Sequence, residues 1–201
     1  MEWAVLFDRA PSADRTAVET ACAAARDAAA AAETETTEPA TVTEPREPQP
    51  TRVVADAGVL AADLLVGGDA RAALELLWQH PWTTLIASDE LLARAEAGIE
   101  AVADSELAAD WRATIDAWRE PVVQPPDDHP ALASAYRGGA MQLLSFDEAL
   151  TGAGAGAALN QRVPVSVRSP AAFAHLFDPE SLYTTASDGS YSGPDRAARS
   201  P

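Results

Sequence analysis

The chain has 201 residues, 31 acidic against 14 basic, and a net charge of −17; every basic residue is arginine, and lysine is absent. A hydrophobic fraction of 47% supports one packed domain with flanking segments. No apolar run approaches the ~20 residues of a membrane span, Met1-Glu2-Trp3 lacks the basic start of a secretory signal, and Cys22, the single cysteine, excludes an internal disulfide and a thiolate zinc cluster.

These features point to a cytoplasmic protein with no membrane partner. High acidity without lysine points to salt adaptation and a haloarchaeal source, because a dense carboxylate surface stays hydrated in brine. At about 1 M salt the Debye length is only ~3 Å. Distant repulsion is then screened, so acidity does not exclude RNA as a partner. The missing lysine argues against receiver domains, haloacid-dehalogenase-type phosphatases and P-loop proteins, whose phosphate sites use one.

In chain order, residues 1–32 read as an N-terminal appendage. Trp3 to Asp8 suits a short strand, and Thr16 to Ala32 is so alanine-rich that it must be helix. Its methyl-lined face could pack on a protein partner or a second copy of the chain; Cys22 upon it reads as inert. Residues 33–50, rich in Pro, Thr and Glu, read as a disordered acidic linker. The folded domain is expected over 51–183, followed by a disordered tail at 184–201.

Within the domain, Arg52-Val53-Val54-Ala55 reads as a strand ending at Asp56, with a helix from Val59. A helix follows from Asp69 to Trp78. Thr83 to Ala87 is the second strand, and Ser88 or Asp89 caps a helix from Glu90 to Ala103. The next helix, Asp104 to Glu120, places Leu107, Trp111, Ile115 and Trp118 on one stripe, the spacing of a core face. Val122-Val123 suits a short strand. His129 stands where a cap belongs, ahead of a helix that opens at Pro130 and stops at Gly138-Gly139. Met141 to Ser145 is a strand with Asp147 at its junction, Arg162 to Arg168 another, and Pro170 to Phe177 a last helix. Gly152 to Gly156 reads as a small-residue segment and not a phosphate loop.

Strands alternating with helices predict an α/β fold, three-layer α/β/α around a mostly parallel sheet. Right-handed crossovers set all strand-to-helix junctions on one edge, where open sheets bind ligands. Asp56 and Asp147 belong on that edge. Asp127 and Asp128 can return to it, and Glu90 and Glu96 follow the second strand. Carboxylates converging there would hold Mg²⁺ or Mn²⁺, which can polarise a phosphodiester and activate water. The alternative is that each is a helix cap or a surface charge.

Arg52-Val-Val-Ala-Asp56, the Gly67–Trp78 helix and Leu85-Ile-Ala-Ser-Asp-Glu-Leu-Leu92 resemble the opening of a PIN domain. The stretch from Asp128 through Gly138-Gly139 to Asp147 resembles its later half, and the likeness spans about residues 51–178. The resemblance implies a three-layer fold and, in active members, a metal-dependent ribonuclease working through three or four acidic residues. Carried onto this chain, it implies Asp56, Asp128 and Asp147 as metal ligands and catalytic residues, with Glu90, Glu96 and Asp127 as further candidates. Arg137 and Arg94 are candidate phosphate contacts. Three positions depart from the pattern. His129 stands at the place of an expected aspartate, which leaves Asp128 one residue early. Gly58 stands where active members often carry a small polar residue or Asn, and Arg94 stands at or near the place of an acidic one. A catalytically degenerate PIN-like binding or scaffold protein is therefore the alternative to a ribonuclease.

Overall fold

Val53, Val54 and Ala55 are buried on both sides of their strand, as only a central strand of a covered sheet can be. They end β1 (Gln49–Ala55) in the computed structural model, which describes residues 2–32, 44–123, 129–152 and 164–199. The other strands among the described residues are β2 (Thr84–Ser88), β3 (Glu120–Val122), β4 (Ala140–Leu144) and β5 (Ser166–Arg168). All pair in parallel, in the order β3-β2-β1-β4-β5.

The crossovers step from β1 through β2 to β3 in one direction, then return past β1 to β4. Right-handed connections running in opposite directions cover opposite faces of a sheet. The helices α3 (Ala57–Leu65), α4 (Gly68–Gln79), α5 (Asp89–Val102) and α6 (Ser105–Asp116) carry the outward steps. The return is made through α7 (Pro130–Gly138), which packs across β1, β2 and β4. The result is the expected three-layer α/β/α arrangement. At the end of α7, Gly138 leaves no room for a Cβ against Ile86, and Gly139 takes the left-handed cap at φ 64°.

The remaining helices among the described residues are α1 (Trp3–Arg9), α2 (Arg15–Ala32), α8 (Glu148–Thr151), α9 (Pro170–Leu176) and α10 (Pro179–Ala186). No described helix is long and apolar enough to cross a membrane.

Three sequence expectations fail, each for a physical reason. Trp3 to Asp8 is helix and not strand: Trp3 and Leu6, one turn apart, both enter the core. Residues 1–32 are no appendage either, since Trp3, Leu6, Val18 and Cys22 belong to the same core as β1. The cause is α3, where Val59, Leu60, Ala61, Ala62, Leu64 and Leu65 are all buried. A helix apolar all round must be covered on its outer side too, and α1, α2, α4 and α5 surround it.

The third failure is the tail. Residues 191–199 are laid along α4: the Asp195 N–H donates to the Gln79 carbonyl at 2.9 Å, and Trp78 Nε1 donates to the Ala197 carbonyl at 3.0 Å. Tyr191 Oη lies 2.7 Å from His80 Nε2, and Arg199 is buried. Of the expected linker, residues 33–43 lie outside the described residues. Arg46 and Gln49 are already fixed by N–H donation to the Arg137 and Gly139 carbonyls, so β1 begins two residues before the expected start at Thr51.

Candidate functional site

The reversal of strand order falls between β1 and β4, so the carboxyl ends of these two strands flank the sheet's switch point. Asp56 follows β1 directly. Its N–H donates to the Leu144 carbonyl at 2.8 Å, which ties it to the end of β4. Its Oδ1 accepts the Ala57 N–H at 2.8 Å and so caps α3; its Oδ2 accepts the Ser145 hydroxyl at 3.0 Å. Ser145 is fully buried, and its Oγ also accepts the Asp147 N–H at 3.1 Å. Asp147 in turn caps α8 by accepting the Ala149 N–H at 2.8 Å. One hydroxyl thus couples the two carboxylate-bearing junctions. Both aspartates are helix caps, and both still face a common cleft of about 250 Å³.

The cleft walls come from four helices. Gly58 belongs to α3, Arg94 to α5, and His129 stands at the N-cap position of α7. Among the described residues, the His129 side chain makes no capping bond and its buried Nδ1 has no hydrogen-bond partner. The fourth wall is α2, with Glu19, Cys22, Ala23 and Arg26. Burial, together with the nearby charges of Asp56 and Glu19, pushes the Cys22 thiol up to about 12. The sequence expectation that it is inert agrees with that environment.

Other candidates lie elsewhere. Glu96 is two residues from Arg94, on the far side of α5, and lies 3.5 Å from Arg112, which also holds Asp89 and Asp116 at 2.9 Å each. Glu90 is exposed in the first turn of α5 and does not line the cleft. Arg137 sits in the last turn of α7, and its carbonyl binds Arg46 ahead of β1. Because α7 runs antiparallel to the strands, Arg137 lies at the opposite edge of the sheet from Asp56. These three placements correct the expectation of a shared rim. Asp127 and Asp128 lie outside the described residues.

Among the described residues, no three Asp, Glu, His or Cys side chains come together to hold a metal ion. Both Asp56 oxygens already accept protein hydrogen bonds, and the nearest α5 contribution is a guanidinium. The described side chains therefore do not fit a Mg²⁺ or Mn²⁺ centre.

A model for a family of unknown function, DUF7384, matches residues 47–199. The chain belongs to that family. No curated protein and no solved structure matches it. The DUF7384 region contains the whole sheet and the Arg199 anchor, while α1 and α2 precede it. The cleft of this DUF7384 protein is thus built partly from a helix outside the matched region.

Sequence reasoning found Asp56, Asp147 and Arg94 but missed Ser145, Glu19 and Arg26. Ser145 had a signal in its position between a strand and an aspartate. The α2 residues had only the indirect one, an all-apolar α3 that needed a cover.

Proposed function

We propose that this protein is a PIN-like module that binds single-stranded RNA in the β1/β4 cleft and has lost the metal-dependent hydrolysis of active PIN domains. One observation carries the reading: the α5 side chain lining the cleft is Arg94, and neither Glu90 nor Glu96 reaches it. A guanidinium fork takes two phosphate oxygens at once and supplies the positive charge that a bound cation would. Asp56 and Asp147, across the cleft, can accept hydrogen bonds from ribose hydroxyls or base amino groups. A volume of about 250 Å³ lies below the roughly 300–1,000 Å³ of usual ligand pockets, so the cleft would take only a part of a strand at a time. The proposal includes a salt-adapted, cytoplasmic setting, where screening lets Arg94 act despite the −17 net charge. Its test is binding of a labelled oligoribonucleotide in molar KCl with EDTA present.

The second reading is a Mg²⁺- or Mn²⁺-dependent endoribonuclease. It is favoured by the pairing of Asp56 and Asp147 across one serine, and it would draw its further ligands from Asp127 and Asp128. RNA cleavage in molar KCl with Mn²⁺, abolished in Asp56→Asn and Asp147→Asn, would establish it. No cleavage by wild type, or unchanged cleavage by the variants, rejects it.

A further inference from the structure

We propose that a groove bordered by α1, α4, α6 and residues 196–199 binds a small aromatic carboxylic acid, at a site separate from the β1/β4 cleft. The groove holds about 750 Å³, within the roughly 300–1,000 Å³ of usual ligand pockets, and shares no lining residue with the cleft. Its room comes from small side chains. Ala4 of α1, Ala113 of α6, Ala117 just past α6, and Ala197 and Ala198 of the tail put methyl groups where larger residues would close the space. The rest of the apolar lining is indole. Trp78 and Trp118 have ring centres 5.6 Å apart at 82°, Trp3 and Trp118 5.9 Å apart at 83°, and Trp3 and Trp78 6.3 Å apart at 76°. Rings in mutual edge-to-face contact leave no space among them for a cation, so this is not an aromatic cage for an ammonium group. They form instead a continuous apolar surface on which a flat ring can pack.

The charge of the ligand follows from Arg196. Its guanidinium carbon lies 4.9 Å from the centre of the Trp78 ring, and its backbone N–H donates to the Gln79 carbonyl at 3.3 Å. Among the described residues, no carboxylate or carbonyl takes its side-chain donors. That sets it apart in a chain of net charge −17, where Arg9, Arg112, Arg119 and Arg199 each hold a carboxylate. Arg199, 4.9 Å from the Trp3 ring centre and 5.4 Å from that of Trp118, donates from all three guanidinium nitrogens to Asp63 and Glu75, so it offers a ligand little. A guanidinium stacked on an indole keeps its edge N–H groups for the two oxygens of a carboxylate. Glu2 also lines the groove but makes no ion pair with Arg196.

Titration of the wild-type protein with 2-naphthoate in molar KCl, followed by calorimetry, tests the site. Saturable one-to-one binding is expected, and no binding overturns the proposal. Arg196→Gln should weaken that binding at least about tenfold through the lost charged hydrogen bonds, and Ala113→Phe should do the same by filling the groove. Both positions are exposed, so thermal unfolding of the two variants should match wild type. Unchanged affinity in either folded variant contradicts the site. The ligand 2-naphthylmethylammonium carries a comparable ring with the opposite charge and is expected to bind more weakly. Equal or tighter binding of it would make Glu2 the anchor and overturn the assignment. Arg94→Ala should leave the naphthoate affinity unchanged whether or not that variant binds RNA; weakened affinity would move the acid into the β1/β4 cleft and overturn the separate site.

Discussion

Arg199 meets Asp63 through two hydrogen bonds, Nη1 to Oδ2 at 2.8 Å and Nη2 to Oδ1 at 2.9 Å, with both side chains sealed from solvent. Glu75 completes the pocket by accepting Arg199 Nε and its backbone N–H, each at 3.0 Å. Asp63 projects from the otherwise apolar α3, and burial pushes its carboxyl up from the ordinary value, with Arg199 opposing that shift in part. Removing one partner of such a pair leaves the other charge buried and uncompensated, at a cost of about 3–5 kcal/mol. Arg199→Ala should lose that much in denaturant unfolding. The double variant Asp63→Leu/Arg199→Met should recover part of it, because the fully buried Asp63 charge is gone and Glu75, which keeps some exposure, is the one carboxylate left without its guanidinium partner.

Ser145→Ala would leave Asp56 Oδ2 and the Asp147 N–H without their shared partner. Both groups face the cleft, where water can take the place of the hydroxyl, so the expected loss in unfolding free energy is the net worth of a hydrogen bond, about 0.5–1.5 kcal/mol. Retention of full stability would show that the hydroxyl does not couple the two junctions.

Gly139 holds φ 64°, and a Cβ at that position would run into the Glu47 carbonyl oxygen. Gly139→Ala should therefore destabilise by about 1–3 kcal/mol, the cost of a strained backbone conformation. Gly68→Ala is a matched control: its φ is also positive, at 55°, but a Cβ there meets open space, so the loss should be smaller.

The Cys22 thiol gives a pH dependence of definite sign. Its folded pKa is raised to about 12, while the unfolded chain releases the proton near the ordinary value of about 8.5. Between these values the unfolded state binds fewer protons, so stability falls as pH rises. The contribution is complete below about pH 8.5 and is lost progressively towards about pH 12. Unfolding at a series of alkaline pH values should show a steeper decline for wild type than for Cys22→Ala.

The sheet was legible because its signals are local. Val53-Val54 before Asp56, Thr84-Leu85-Ile86 before a Ser88 cap that accepts the Leu91 N–H at 3.1 Å, and Gly138-Gly139 before β4 each mark their element within a few residues. Asp56 and Asp147 followed from that order. What escaped was non-local. The tail looks disordered by composition, and only a buried Asp63 136 positions earlier gives Arg199 a place. The α2 wall was hidden for the same reason, since its partner surface is the outer side of α3. The side of α5 that meets the cleft depends on helix rotation, and so Arg94 and Glu96 could not be separated by counting alone.

The central claim is that Arg94, and not a metal ion, makes the cleft a site for RNA. Anisotropy of a labelled single-stranded oligoribonucleotide in molar KCl with EDTA, wild type against Arg94→Ala, tests it most directly. Binding by wild type in EDTA, weakened by at least about tenfold in the variant, is the expected result, in line with the 1.5–3 kcal/mol of a hydrogen bond to a charged group. Binding that appears only when Mn²⁺ is supplied, or that is unchanged in Arg94→Ala, would contradict it.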